Sequence, residues 1–480
     1  MKNQNSRREF LKKAALVTGG ALIGFEQIAF AKNCRMFNLM QGEPLPFCPN
    51  NPAVRINLDQ CFKCGECRKF CANEITVFGQ TVPQGEDPCI HCGQCTLACP
   101  EIITEQYHYQ DAAKAISDPN KIVVALMAPA TRVSVGEMFE LAPGNVEGKI
   151  IGSLKKLGVD HVLDVTFSAD LTIMEEASEL LHRLEENDAK KLPMFTSCCP
   201  AWVRFIKLFY PDLLPNLSTV KSPMMMQGAL VKTYYAQKMG IDPTKIVNIA
   251  LMPCTAKKAE ILLPGMNAAG NFHRNQQMRD VDFSLTSREI AYMINEGGID
   301  FLQTQDAPYD SLMGLGSGAG VIFGNTGGVM EAALRTAYKV LNDKNPPADF
   351  FNFNSPVRGL DNVRQASVNL GGRTLNIAVV HGIANARPLI ESIKNGTQKF
   401  DFIEVMACSG GCIGGGGQPI NFEMEPTELR QLRKNVLYQY DANTELRLSC
   451  DNPQIKTIYD EFLGKPLSEK SEELLHIHYY

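Results

Sequence analysis

From Lys121 onward the chain predicts an α/β fold built on parallel sheets, preceded at residues 52–110 by a small α+β domain organised around cysteine. Three observations predict it. Short β-branched runs alternate with amphipathic stretches, the pattern of strands layered against helices. Eight of the sixteen cysteines lie between Cys61 and Cys99 in two runs of one spacing. At 480 residues the chain is also too long for one small core, so two or three domains are expected.

The first element precedes any fold. Ser6-Arg7-Arg8-Glu9-Phe10-Leu11-Lys12 is followed by an apolar stretch from Ala14 to Phe25 and by Ala29-Phe30-Ala31, which reads as a twin-arginine export signal over residues 1–31, cleaved after Ala31. Glu26 and Gln27 interrupt the apolar run too soon for it to span a bilayer, and no later segment is long enough for a stable transmembrane anchor. Residues 1–31 carry five basic and two acidic side chains, so cleavage takes the formal charge from -5 to about -8. That balance, with a pI near 6.0, argues against a nucleic-acid partner. A periplasmic location is expected. The twin-arginine export machinery carries folded proteins, which suits a chain whose metal centres are inserted before export. Residues 32–51 read as a linker.

Cys61-x-x-Cys64-x-x-Cys67-x-x-x-Cys71 is followed by Cys89-x-x-Cys92-x-x-Cys95-x-x-x-Cys99-Pro100. This is the bacterial two-cluster ferredoxin spacing, in which three cysteines of one run and the fourth of the other hold each 4Fe-4S cubane. Cys61, Cys64, Cys67 and Cys99 are therefore expected to bind one cluster, and Cys71, Cys89, Cys92 and Cys95 the other. Ala72 replaces the proline usual after the fourth cysteine of the first run, which weakens the turn and not the ligation. Structural zinc sites use ligands in two pairs, not four in one compact run, and disulfide domains do not repeat a ferredoxin spacing. Interlocked ligands keep the two clusters close, so they form a short wire with a redox centre at one end and an external partner at the other.

In the second domain Ile122 to Met127, His161 to Phe167, Ile246 to Met252, Val321 to Phe323, Leu375 to Val380 and Phe402 to Met406 read as strands. Leu171 to Leu184 and Gly327 to Leu341 read as helices. Ala128-Pro129, Cys254, Gly324, His381 and Cys408 follow the carboxyl ends of apolar runs, where open α/β sheets place their ligands. Residues 342–374 are polar and rich in Pro, Asn and Gly, and read as a surface excursion.

Three cysteine contexts carry the chemistry. Cys408-Ser-Gly-Gly-Cys412-Ile-Gly-Gly-Gly-Gly delivers two soft ligands from a strand into a glycine-rich turn. Glycine lets backbone crowd against a bulky inorganic group, and thiolates suit iron. The others are Thr196-Ser197-Cys198-Cys199-Pro200-Ala201-Trp202 and Met252-Pro253-Cys254-Thr255-Ala256-Lys257-Lys258-Ala259-Glu260. In this order and at comparable separation the three resemble the signature segments of the iron-only (FeFe) hydrogenases. The tail over residues 452–480, with Lys465-Pro466-Leu467 and His476-Ile477-His478, resembles the separate small subunit of two-chain periplasmic members, here fused in one chain.

The resemblance implies a catalytic domain over residues 111–451, made of two lobes with parallel sheets and an H-cluster between them. That centre is a 4Fe-4S cubane joined through a cysteine sulfur to a two-iron unit with carbon monoxide, cyanide and a bridging dithiolate amine. By position Cys199, Cys254, Cys408 and Cys412 match the cubane ligands, Cys412 being the bridging one. Cys198 is left as a thiol able to donate and recover a proton, and in the family it serves the bridging amine. Glu176, Glu179, Ser218 and Arg183 match the rest of the family's proton relay, although Glu179 and Arg183, one helical turn apart, would also make an ordinary surface pair. Lys257 matches the cyanide-binding lysine, with Glu260 as its partner. Ala128, Pro129, Pro253 and Phe323 match contacts of the two-iron unit, and Met252 and Met406 match apolar walls that keep water away. Ala130 and Met224 stand where well-known members have serine and glutamine. Each loses a polar contact near the two-iron unit, so an altered catalytic bias or oxygen response is expected.

The implied activity interconverts dihydrogen with protons and electrons. Uptake is the expected direction, with a soluble multihaem c-type cytochrome as electron partner and hydrogenase maturation proteins to supply the H-cluster. A hydrogenase-like sensor or iron-sulfur assembly factor is the alternative; such relatives typically lack the thiol equivalent to Cys198 or part of the glutamate path, and all are present here. An electron-transfer module alone leaves residues 121–480 without a purpose. Cys34, Cys48 and Cys450 have no assigned role, and in an oxidising compartment two of them could pair.

Overall fold

The computed structural model describes residues 38–39, 43–44, 47–48, 50–82, 86–186, 191–351 and 357–479. The export signal expected over residues 1–31, and Cys34, lie outside the described residues. No described helix is long and apolar enough to cross a membrane.

Two four-stranded sheets organise the chain beyond residue 121. The first has the spatial order His161–Asp164, Ile122–Met127, Ile246–Met252, Phe283–Thr286, with every pair parallel. Val124 and Leu126 face one core and Val123, Ala125 and Met127 the other, as the two-residue period of a strand requires. The second has the order Val363–Asn369, Thr374–His381, Phe402–Met406, Met194–Phe195. Ala378, Val380, Ile403 and Val405 point to one side, and Leu375, Ile377, Val379, Phe402 and Met406 to the other. Strands covered on both faces are apolar at nearly every position, which is why the inner strands Ile122–Met127, Ile246–Met252 and Phe402–Met406 read as near-continuous runs. A leucine buried as completely as Leu126 or Leu251 contributes about 1.5–3 kcal/mol.

Three expectations need correction. The run His161 to Phe167 is a strand only as far as Asp164; the helix Val165–Glu186 starts directly after it, because the Asp164 carboxylate accepts the Thr166 N–H at 2.9 Å and turns the chain. The Val321 to Phe323 run is helical, part of Gly318–Ile322 with Phe323 at its end. Ser317 caps it by accepting from Gly320 N at 3.2 Å, and the short β-branched signal gives way to that cap. Residues 342–374 are not only an excursion. Val363–Asn369 pairs antiparallel with Thr374–His381, so the second sheet is mixed, and Asn369 closes the hairpin by accepting from Gly371 N and Gly372 N.

The dicluster segment is tied at its ends by the antiparallel pair Val54–Ile56 and Ile103–Glu105. At the other end of the chain the helices Pro453–Ile458 and Glu469–Leu475 bury Ile455, Ile458, Leu474 and Leu475 in the same core as Val124 and Leu126. The tail that resembles a separate subunit is thus part of the first sheet's core.

Candidate active site

The two cysteine runs share one backbone device. Lys63 and Gly65 flank Cys64 at φ 54° and 80°, and His91 and Gly93 flank Cys92 at φ 64° and 70°. Such left-handed steps turn successive N–H groups inward, a suitable lining for an anionic iron-sulfur core. An apolar cavity is lined by Cys71, Cys89, Cys92 and Cys95 together with Val54, Ile75 and Val77, which brings the fourth cysteine of the first run to the first three of the second. In the other set burial, then the neighbouring Cys61 and, more weakly, Cys64 and Cys99, pushes the Cys67 thiol up to about 11. Burial likewise pushes Cys71 up to about 11 and Cys89, Cys92 and Cys95 well above the ordinary range. Thiolates collected in so dry a place need a bound cation to offset their charge.

Sulfur spacing argues against the smaller metal. Tetrahedral zinc with bonds of about 2.3 Å sets its sulfurs about 3.8 Å apart. Among the described residues no three cysteine sulfurs lie within 4.8 Å of one another; the group of donors that does converge, Asp87, Cys89 and His91, contains one cysteine.

The catalytic-type cysteines come from the carboxyl ends of both sheets. Cys254 follows Ile246–Met252, Cys199 caps the helix Pro200–Phe209 just beyond Met194–Phe195, Cys408 follows Phe402–Met406, and Cys412 opens the short turn Cys412–Gly414. They converge: burial, then the charge of Cys254, raises Cys412, with Cys199 adding to it, and Cys408 feels Cys254, Cys92, Cys199 and Cys412. Cys92 is thus a common neighbour of the dicluster cavity and of Cys254 and Cys408. Two of the glycines serve this convergence by close backbone packing. A Cβ at Gly415 would come 2.2 Å from Pro253 O, and one at Gly416 would come 2.2 Å from Cys92 O. They let protein backbone approach protein backbone, joining the loops of Cys412, Cys254 and Cys92.

Polar contacts lock the same seam. Thr255 Oγ1 donates to His91 O at 2.8 Å, Gln94 Nε2 to Gly414 O at 2.8 Å, and Arg204 to Cys89 O and Asp87 O at 2.7 and 2.8 Å. Gly416→Ala is therefore expected to force the dicluster loop off the catalytic loops, with a loss of about 1–3 kcal/mol from overpacking that thermal unfolding would register.

Beside these thiols runs a buried polar path. Cys198 has Glu176 as its strongest charged neighbour, which together with burial raises the thiol. Glu176 is buried with Oε2 unpartnered, and burial, then the adjacent Glu179, pushes its carboxyl up to about 8. Ser218 Oγ donates to Glu179 Oε2 at 2.7 Å, and Arg183 to Glu179 Oε1 at 2.6 Å. Glu179 and Arg183 are only 7% and 5% exposed, so the surface-pair reading fails. Arg183 also donates to the carbonyls of Lys191, Pro215 and Leu217, a set that fixes the loop before Ser218.

Lys257 donates to Glu260 Oε2 at 2.7 Å and to Cys198 O at 3.2 Å. Burial alone would lower its ammonium, yet Glu260 keeps it above the usual range and therefore charged. Ala128, Pro129, Met252, Pro253, Phe323 and Met406 are all buried. Ala130 and Met224 are fully enclosed, with Ala130 O accepting from Gln418 Nε2 at 3.2 Å. Spacing missed Thr255, Gln94 and Arg204, whose partners are distant in sequence, and missed the tail residue His476, which contacts Thr219. Cys48 is disulfide-bonded, while Cys450 is free.

Convergent thiols at the ends of two α/β sheets, coupled to a dicluster segment, define an iron-sulfur redox protein. Comparison with known proteins narrows this. The family description "Iron only hydrogenase large subunit, C-terminal domain" matches residues 121–416, "Iron hydrogenase small subunit" residues 427–480, and "4Fe-4S dicluster domain" residues 53–100. The chain is 43% identical to the NADP-reducing hydrogenase subunit HndD of Solidesulfovibrio fructosivorans, over 89% of this chain and 68% of that one. It is 44% identical to the periplasmic Fe hydrogenase large subunit of Nitratidesulfovibrio vulgaris, over 76% and 86%. Cytosolic iron-sulfur assembly component 3 of Mus musculus is similar at 30% identity, over 79% and 80%. The solved structure of apo FeFe-hydrogenase HydA1 from Chlamydomonas reinhardtii superposes with a TM-score of 0.68 at 39% identity, covering 78% of this chain and 99% of that one.

The chain belongs to the iron-only hydrogenase family, with large- and small-subunit sequences in one polypeptide. Its cofactors are those of the family, an H-cluster, and with the dicluster segment two further 4Fe-4S clusters.

Proposed function

We propose that the chain is a hydrogenase that oxidises dihydrogen in the periplasm, reversibly, and passes the electrons through two 4Fe-4S clusters to a soluble multihaem c-type cytochrome. The observation that carries it is Cys198, a thiol beside the four convergent cysteines and next to the buried pair Glu176 and Glu179. When bound, the H-cluster supplies the making and breaking of the dihydrogen bond; Cys199, Cys254, Cys408 and Cys412 would hold it. The chain does the rest. Cys198 gives and recovers a proton, Glu176 reloads it, and Ser218, Glu179 and Arg183 continue the path outward. Lys257 presents a fixed positive charge to an anionic ligand, and Met252, Met406 and Phe323 exclude water, which strengthens each of these interactions. Residues 52–110 act as the electron-transfer domain, 111–451 as the catalytic domain and 452–480 as the small-subunit-like tail, after export through the twin-arginine machinery and cleavage of residues 1–31.

Infrared spectroscopy of matured protein, with a hydrogen-uptake assay, tests this. Carbonyl and cyanide stretches together with turnover support it. Protein loaded with iron and sulfide but silent in that window favours an assembly role like that named for the Mus musculus relative.

Glu176 titrates near pH 8 with its charged form disfavoured, so it holds its proton at neutral pH and loses it as pH rises through about 8. Proton reduction is expected to fall over that window, and Glu176→Gln to be slow at every pH without that limb, as a pH-rate profile would show.

The outer end of the wire is Cys61, Cys64, Cys67 and Cys99, where Cys64 is exposed. A redox partner needs only a small transient contact there, and a mature charge of about -8 from the sequence suits a basic cytochrome. Added salt is expected to slow cytochrome reduction and to leave a neutral small acceptor unaffected. Salt-independent rates, or no cytochrome reduction under hydrogen, would remove this partner and leave the hydrogenase reading standing.

A further inference from the structure

The segment that carries Ser218 is held from both sides. On one side Ser218 N donates to Phe195 O at 2.8 Å, and Leu217 bridges Phe195 in parallel. On the other, the C-terminal tail completes the pairing: Ile477 N donates to Thr219 O at 2.7 Å, Lys221 N to Leu475 O at 2.8 Å, and Val220 pairs antiparallel with His476.

His476 is fully buried at the centre of this contact. Its Nε2 lies 3.1 Å from Glu175 Oε2 and its Nδ1 2.8 Å from Thr219 Oγ1. Glu175 also accepts the Tyr459 hydroxyl at 2.6 Å and Leu467 N at 2.8 Å. The two ring nitrogens thus pair with different elements, Nε2 with the Glu175 carboxylate and Nδ1 with the Thr219 hydroxyl, which can act as donor or acceptor. Thr219 in turn offers its backbone N–H to both oxygens of Glu179, at 3.2 and 3.1 Å. The tail then continues inward, where Tyr479 packs against the core around Trp202 and feels Glu260, Cys198 and Glu179.

We propose that His476 is a positioning residue for the proton path: through Thr219 it fixes the Glu179 carboxylate and the Ser218 hydroxyl in the arrangement that hands protons to and from Glu176. The small-subunit-like sequence therefore contributes to turnover as well as to the core. This rests on the relay role of Glu179 and Ser218 given under Proposed function. A purely structural tail would need only its apolar anchors Leu474 and Leu475, and those make no use of the Thr219 hydroxyl.

The test compares Thr219→Val, which keeps the shape and removes the hydroxyl, with Thr219→Ser, which keeps the hydroxyl, and with His476→Phe, all as matured holoenzyme assayed with a neutral dye acceptor. Losing about one hydrogen bond's worth of positioning is expected to lower kcat about three- to tenfold in Thr219→Val and His476→Phe. The solvent deuterium isotope effect should rise, with KM for hydrogen and the carbonyl and cyanide bands unchanged, and Thr219→Ser should recover near wild-type kcat. Wild-type kcat and isotope effect in Thr219→Val overturn the proposal, as does a Thr219→Ser protein as slow as Thr219→Val. Should His476→Phe fail to fold, the isosteric Thr219 pair decides. Glu179→Gln separates the two readings: wild-type turnover there removes the relay and this inference with it, whereas a slow Glu179→Gln beside a normal Thr219→Val overturns the inference alone.

Discussion

Cys198→Ala protein is expected to keep its carbonyl and cyanide infrared bands and to lose hydrogen turnover by about 100- to 10,000-fold, the range for removing a positioned acid-base group. The geometry separates binding from proton transfer. Four other thiols, Cys199, Cys254, Cys408 and Cys412, bear on one another from the ends of the two sheets, so iron ligation is expected to survive without Cys198. The fold around position 198 is held by neighbouring groups, since Ser197 Oγ donates to Val220 O at 2.6 Å and Lys257 reaches the backbone carbonyl of Cys198 rather than its sulfur. Alanine keeps that carbonyl and roughly the volume of the thiol's first carbon. It removes the thiol facing Glu176. Near wild-type turnover with full infrared bands in this variant would end the relay role.

Cys412→Ala should behave in the opposite way, with the two-iron unit lost, no carbonyl or cyanide bands and no turnover, while the dicluster segment keeps its iron. The local backbone does not depend on the sulfur. Gly410 and Gly411 take φ 81° and 88°, Ile413 N donates to Gly324 O at 3.0 Å, and Gly415 N to Cys412 O at 3.0 Å, so the turn forms with alanine in place. What disappears is one soft ligand at a site whose other donors cannot substitute for it. Iron analysis and electron paramagnetic resonance of the reduced protein check both halves, and infrared bands in this variant would contradict the assignment of Cys412.

Where sequence and structure agree, the reason is local. Ile122–Met127, Ile246–Met252 and Phe402–Met406 were legible to the residue, because strands buried on both faces are apolar at nearly every position, Asn248 and Glu404 being the buried exceptions. Val321 to Phe323 carries the same residue types over too short a run, and there the Ser317 cap, itself held by Asp170 through Ser317 N at 2.8 Å, made a helix. Val363–Asn369 was missed because it is an edge strand with alternate residues in water, and polar residues mask its pattern.

The same division runs through the site. The chain's own residues determined the ligand chemistry of the dicluster segment, since three cysteines within one short run are placed by local backbone and the repeat of the spacing supplies the fourth from the other run, and they determined the three cysteine signatures that mark the family. Tertiary structure decided that Cys92 faces Cys408 and Cys254, that Glu179 and Arg183 are buried rather than a surface pair, and that His476 reaches Thr219 across 257 residues of sequence. Spacing is a property of a few neighbouring peptide units, whereas burial, the upward shift of Glu176 and the seam made by Gly415 and Gly416 depend on which distant segments exclude water from them, and no short stretch of sequence encodes that exclusion.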